Sequence, residues 1–374
     1  MKMKISSRSV IITLSFAILF LLLPGTFFGI FINSKAATEI SVTTSIPVGK
    51  NPNFMAYDSA DNKMFVVGTG SVTVINAATN VVLATIKVTK PNDIIYNPTN
   101  DEIYVVSENL HVVAISGSTD EIVKSISVQV DDFYQDLAYN PANGNVYVAD
   151  TNSGEVSVIS SSTNSVISTI KTGADPQHLL FDPANNEMYV SVSTKTTGAH
   201  PKTPYVDVIS SSTNLVIATI ILTDTAGSYP DAFFAYNPAN QEMYLSDKSG
   251  NVYVLSSSTN SIVTTISLTV FEMAYDSADQ EMYATTVGSG VSIISNSNTV
   301  VSTVGDTFAN GYIVFNPTDS DIFVSGSSTY VISGSTLVTS TSTANAGFIA
   351  YNLAGSDVYI SITESPGFVD VISS

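Results

Sequence analysis

The chain has 374 residues, with 32 acidic side chains against 13 basic ones, a formal net charge of −19, and neither cysteine nor tryptophan. Without cysteine there can be no disulfide, thiolate metal site, thiol nucleophile, lipidated cysteine or c-type haem attachment. Lys2, Lys4, Arg8 and Lys35 lie in an N-terminal segment free of acids, so the remainder is more acidic still and has no arginine; such a surface repels phosphate backbones and excludes nucleic acid as a partner.

Lys2, Lys4 and Arg8 precede an apolar run from Val10 to Leu23, which Pro24-Gly25 interrupts before Thr26 to Ile32 resumes it. This is the pattern of an export signal, with Ser34-Lys35-Ala36 as a small-x-small cleavage site. Read through to Ile32, the run is long enough to remain as a membrane anchor. Residues 1–37 are therefore predicted to be a signal peptide or N-terminal anchor. Either way the body is delivered to the cell surface or the extracellular side, touching membrane only through this segment if it is uncleaved.

From Phe54 onward one pattern returns: an apolar stretch, an aromatic, Asn or Asp, often Pro, a polar turn, then an apolar-Tyr-apolar strand, as in Ala138 to Val148. The landmark aromatic stands at Tyr57, Tyr96, Tyr139, Phe181, Tyr236, Tyr275, Phe315 and Tyr351, a period of about 42 residues. A third strand (Val156 to Ile159 in the third copy), a Ser/Thr/Asn turn and a fourth strand (Val166 to Ile170) follow. Short alternating runs between turn residues predict antiparallel strands. Asx side chains cap turns, and proline holds the residue before it extended. Four strands per unit at this period predict an all-β chain: an eight-bladed β-propeller over residues 38–374, one blade per repeat.

The eighth copy stops at Val371-Ile372-Ser373-Ser374, which matches Val158-Ile159-Ser160-Ser161, so it lacks a fourth strand. Ser45 to Gly49, ahead of the first copy, matches Thr169 to Gly173, the end of one. The segment Ile40 to Val48 is thus predicted to close the last blade and cover its open edge.

Tyr147-Val148-Ala149-Asp150, with Val158-Ile159, Thr163-Asn164, Thr169-Ile170, Gly173 and Pro176, resembles the YVTN family of β-propeller repeats across essentially all of Ile40 to Ser374. The resemblance implies a rigid, extracytoplasmic or surface-layer-associated propeller in a family of diverse roles. Its matching positions are strand and turn residues, so it carries over no catalytic residue. Eight copies depart by one from the seven blades usual for such propellers.

His111, His178 and His200 are too few for a multi-histidine copper centre, and no G-x-S-x-G elbow, P-loop or H-E-x-x-H occurs. Asp58 to Asp61 and Asp276 to Asp279 lack full EF-hand spacing and read as turn residues. One constellation remains. Three residues before each landmark aromatic, where the chain enters its innermost strand, stand Phe54, Asp93, Asp136, His178, Phe233, Glu272, Tyr312 and Phe348. Asp93, Asp136, His178 and Glu272 would share one level at a channel mouth, on the face carrying the long loop Thr194 to Thr203 with His200. They are the candidate ligand-binding residues. No cofactor is predicted, although carboxylates and an imidazole could hold a divalent cation there.

The composition fits a non-enzymatic cell-surface binding or structural module whose partner is a protein or a glycan at the envelope. The competing readings are a cation or small-ligand binder and an envelope lyase or hydrolase working through the channel acids and histidine. Mass spectrometry of the native protein should find an N-terminus at Ala37 if the leader is cleaved, and an intact Met1 in the membrane fraction if it anchors.

Overall fold

The computed structural model describes residues 40–107, 111–128, 135–151, 153–173, 175–193, 204–222, 233–247, 249–305, 311–343 and 345–373. The leader 1–37 and the loop Thr194 to Thr203 lie outside the described residues. Among the described residues there is no helix; each of the first seven repeats forms a four-stranded antiparallel sheet with its strands in sequence order, and the eighth supplies three strands to a sheet that residues 42–48 complete. The blades cover residues 55–87, 91–127, 135–171, 175–221, 234–267, 270–304, 313–341 and 346–373. The first strand of every blade touches the first strands of its two neighbours, and the circuit closes from blade 8 back to blade 1. The chain is an eight-bladed β-propeller.

The alternation in the sequence places the core between blades. Second and third strands are buried on both faces: Tyr147, Val148, Ala149, Val156, Val158 and Ile159 have no solvent exposure. Fourth strands alternate, as in Ser165–Lys171, where Ile170 packs inward and Ile167 faces water. One apolar cluster joins Ala56, Phe65 and Val74 of blade 1 to Ile94, Ile103 and Val105 of blade 2, and similar clusters fill the following seams.

Two turns in each of blades 1 to 7, and one in blade 8, require a left-handed backbone. After the first strand the position is Asn62, Asp101, Gly144, Asn186, Gln241, Gln280, Ser320 and Ser356, with φ between 51° and 74°. After the third strand it is Asn80, Asp120, Asn164, Asn214, Asn260, Asn298 and, in blade 7, Gly334, with φ between 49° and 61°. Glycine and Asx residues reach this region at low steric cost, which accounts for the Asn-rich turns of the sequence. Just before the first of these turns, Asp58, Asn97, Asn140, Asp182, Asn237, Asp276, Asn316 and Asn352 are fully buried. The Oδ1 of each accepts the backbone N–H two residues on, so the residues read as turn formers from sequence do form Asx turns.

The apolar-Tyr-apolar motif links blades. The hydroxyl of Tyr104 donates to Asn164 Oδ1 of the next blade (2.5 Å), Tyr147 to Asn214 (2.8 Å) and Tyr359 of blade 8 to Asn80 of blade 1 (2.6 Å); Tyr189 and Tyr244 bond Asn260 and Asn298 in the same way. A tyrosine otherwise fully buried needs such an acceptor.

Closure follows the predicted scheme. Val42–Val48 pairs antiparallel with Gly367–Ser373, the third strand of blade 8. Its register repeats that of a true fourth strand, including the irregularity: Val42 faces Ile372 and Thr44 faces Val371, as Val166 faces Ile159 and Ser168 faces Val158. The matching bulge appears between third and fourth strands in blades 1 to 7 as well, adding twist at the outer edge. Ile46 is 3% exposed and packs with Tyr359, Val369 and Val371 of blade 8 and Met55 and Met64 of blade 1. Ile46→Ala should lower unfolding stability by about 3 kcal/mol, and removing residues 40–48 should leave an unpaired edge that self-associates. Urea titration and light scattering check the two outcomes.

Candidate functional site

The repeat register does bring one position of every blade to the channel. Phe54, Asp93, Asp136, His178, Phe233, Glu272, Tyr312 and Phe348 are all partly buried, whereas the next residue, Met55, Ile94, Leu137, Leu179, Ile313 or Ile349, is buried in the blade core. Strand alternation sends the first set inward to the channel and the second into the seams.

Side chains at this level form a belt. His178 and Phe233 have ring centroids 5.2 Å apart, Phe233 and Phe271 5.6 Å, Phe271 and Tyr312 5.4 Å, Tyr312 and Phe348 5.3 Å, and Phe348 and Phe54 5.2 Å. The polar arc continues from His178, whose Nδ1 is 3.9 Å from Asp136 Oδ2. One part of the channel wall is therefore aromatic, and the other is Asp93, Asp136 and His178.

The carboxylates have a structural duty that the sequence did not reveal. Asp93 Oδ2 accepts the N–H of Leu137 in the next blade (2.8 Å), and its Oδ1 accepts that of Ile94 (2.8 Å). Asp136 Oδ2 accepts the N–H of Leu179 (2.6 Å), and Glu272 Oε2 that of Ile313 (2.7 Å). Each acid clasps the first strand of the following blade. Asp93, Asp136 and His178 stand together on consecutive blades; Glu272 stands apart, its backbone beside Phe271 and its carboxylate on the blade carrying Tyr312.

Enclosure by the surrounding strands desolvates these groups, although water still reaches 25% of the side chains of Asp136 and His178. Burial pushes Asp93 up to about 7 against the pull of its two N–H donors. Burial, and then the charge of Asp93, hold Asp136 well above the ordinary carboxylate range. Burial pushes Glu272 up to about 8 and the His178 imidazole down to about 4. With a neutral imidazole, the 3.9 Å approach to Asp136 is neither an ion pair nor a hydrogen bond. Near neutral pH the belt therefore carries far less charge than its formula suggests.

Phe271 escaped the sequence reading because it lies one residue before the repeated slot. The aromatic arc as a whole was visible only as the apolar half of that slot. His200 lies outside the described residues.

No protein-family model and no curated protein matches this chain. Among solved structures it is similar to hydrazine synthase of Kuenenia stuttgartiensis, with a TM-score of 0.59 and 14% identity over 92% of this chain and 99% of that one. At this identity the likeness concerns the propeller fold alone.

The titration of the belt has a consequence for stability. Asp93 and Glu272 have folded values above their ordinary 3.8 and 4.5, so their contribution is whole below those values and is lost as pH rises through about 7 and about 8. His178 works in the opposite sense, complete above 6.5 and lost as pH falls through about 4. From pH 6.5 upward only the acids change. The melting temperature should therefore fall between about pH 6.5 and pH 8.5, and Glu272→Gln, which keeps an acceptor for Ile313, should flatten the upper part of that fall; calorimetry across this range checks both.

Proposed function

We propose that this chain is an exported, non-enzymatic binding module of the cell envelope, and that its channel mouth takes a neutral, hydroxyl-rich ligand such as the end of a glycan. The observation that carries this reading is the two-sided belt: Asp93, Asp136 and His178 on one arc, and Phe233, Phe271, Tyr312, Phe348 and Phe54 on the other. Apolar walls with a few fixed polar groups are the general build of a small-ligand site. A sugar ring offers C–H faces to aromatic rings and hydroxyls to carboxyls and imidazole.

The electrostatics favour a neutral ligand over a metal ion here. Acids with raised pKa values and a neutral imidazole present hydrogen-bonding groups of little net charge. The oxygens of Asp93, and one oxygen each of Asp136 and Glu272, are already held by backbone N–H groups. The same anchoring speaks for binding over acid–base catalysis, since these carboxyls hold neighbouring blades in place. The leader-like segment and the likeness of the repeats to the YVTN type support a place outside the cytoplasm.

Isothermal titration against a panel of neutral and acidic oligosaccharides tests the reading. Saturable binding should appear with a neutral member, weaken above pH 8 and drop at least tenfold in Phe233→Ala, which leaves the carboxylate clasps intact. If no neutral oligosaccharide binds, or Phe233→Ala binds as the parent does, the channel is not the site.

A further inference from the structure

On the face opposite the channel mouth, where first-to-second and third-to-fourth turns meet, the seam between blades 1 and 2 differs from its counterparts. Asp58 is fully buried, its Oδ1 accepts the N–H groups of Ala60 (2.9 Å) and Asp61 (3.2 Å), and its Oδ2 has no hydrogen-bond partner. Asp61 Oδ2 is likewise out of solvent and without a partner. Asp101 reaches the same point from blade 2. One oxygen from each of the three lies within 4.8 Å of the other two, and among the described residues no other such group of His, Asp and Glu converges.

The equivalent asparagines in other blades show what is missing. Asn97 and Asn140 donate from Nδ2 to Gly144 O (3.0 Å) and Ser211 Oγ (2.6 Å) of the next blade, and Asn100 and Asn143 donate to the carbonyls of Ser161 (3.0 Å) and Ser211 (3.0 Å). Aspartates at both positions in blade 1 have no proton to give. The tyrosine hydroxyl at this seam, Tyr96, donates to Asp101 Oδ1 (3.2 Å). Lys63 is near, but its three donors go to Gly117 O (2.6 Å), Ser118 O (3.3 Å) and Asp120 Oδ1 (2.9 Å).

There is also room. The residue that opens the third-to-fourth turn is Ser161, Ser211 and Ser257 in blades 3, 4 and 5 but glycine in blade 2 (Gly117) and blade 7 (Gly334), and at Gly334 a Cβ would meet only Asp279 Oδ2, at 3.4 Å. A Cβ at Gly117 would stand 2.6 Å from Asp58 Oδ2 and 2.7 Å from Asp101 Oδ1, so both oxygens point at the space that glycine leaves open.

We propose that Asp58, Asp61 and Asp101 bind a calcium ion that ties blade 1 to blade 2. Ca²⁺ takes carboxylate oxygens at about 2.3–2.6 Å in flexible geometry, whereas Mg²⁺ demands a near-ideal octahedron at about 2.0–2.1 Å and gives up its waters reluctantly. Three carboxylates supply the charge of a modest-affinity extracellular site, and water completes the shell. The site is separate from the channel belt and stands or falls independently of any ligand there.

Calorimetry and thermal unfolding of the full chain with CaCl₂, MgCl₂ or EDTA test it. The parent should bind Ca²⁺ saturably at millimolar concentration or below, with a melting temperature several degrees above that in EDTA, and Mg²⁺ should not substitute. Asp58→Asn and Asp101→Asn carry a residue type that the same turns hold elsewhere, so they should melt in EDTA as the parent does and lose at least tenfold in Ca²⁺ affinity. Asp276→Asn, at the equivalent position of blade 6, should leave binding unchanged. Gly117→Ala should abolish binding with no change of charge. Equal melting of the parent in Ca²⁺ and EDTA overturns the proposal, as does undiminished binding in Asp58→Asn and Asp101→Asn.

Discussion

A four-stranded blade cannot bury both of its faces by itself, and in this chain the core lies between blades, so every seam depends on the ring being closed. Seven seams come from consecutive repeats. The eighth lies between blade 8 and blade 1, and blade 8 is complete there because Val42–Val48 fills its outer edge in the register of an ordinary fourth strand, bulge included. The inter-blade bonds then run in one direction all the way round. Tyr359 reaches Asn80 and Asn352 reaches Ala77 O across the closing seam, as Tyr104 reaches Asn164 across an internal one. Two seams depart from this pattern: blade 1 has Phe65 in place of the tyrosine and reaches blade 2 through Lys63 Nζ, which donates to Gly117 O, and the seam between blades 7 and 8 is the other. Blade 8 has no turn between its third and fourth strands, because its fourth strand is Val42–Val48. Blade 7, which faces it, has Phe323 in place of the tyrosine, and its buried Asn316 Nδ2 has no partner.

The channel belt inherits this directionality. Asp93, Asp136 and Glu272 each accept an N–H of the following blade, whereas the tyrosines donate their hydroxyls to the following blade. Position and protonation are therefore coupled. The strands that fix each carboxyl in the belt also desolvate it, and this raises its pKa. A site of aromatic rings and nearly neutral acids follows from using carboxylates as clasps beside a channel.

How much of this could be read from the sequence depends on how local the interaction is. Blade number, strand order, the Asx turns and the closing strand follow from repeats of about 42 residues, because alternation and turn chemistry act within a few residues. The slot of Asp93, Asp136 and His178 was legible as well, since equal register puts equal positions at one level. The partners were not. That Asp93 meets Leu137, or that Phe271 rather than Glu272 continues the aromatic arc, depends on how one blade sits against the next, and no short-range pattern records it. Asp101 was hidden for the same reason. In its own blade it is an unremarked turn residue with positive φ, and its meaning comes only from Asp58 across the seam.

The buried Asx position makes the last step. Its Oδ1 always accepts from the turn, so the residue type is decided by the second atom, which faces the next blade. An asparagine there donates; an aspartate presents an oxygen that must gain a proton, meet a cation or remain unsatisfied. Burial raises the carboxyl pKa of Asp182 and Asp276, and among the described residues no two further acids converge on either. At Asp58 the local chemistry differs, because Asp61 and Asp101 bring two more oxygens to the same point and Gly117 leaves space between them. One divalent ion can meet all three oxygens at once. The choice between proton and cation thus falls to the neighbours across the seam.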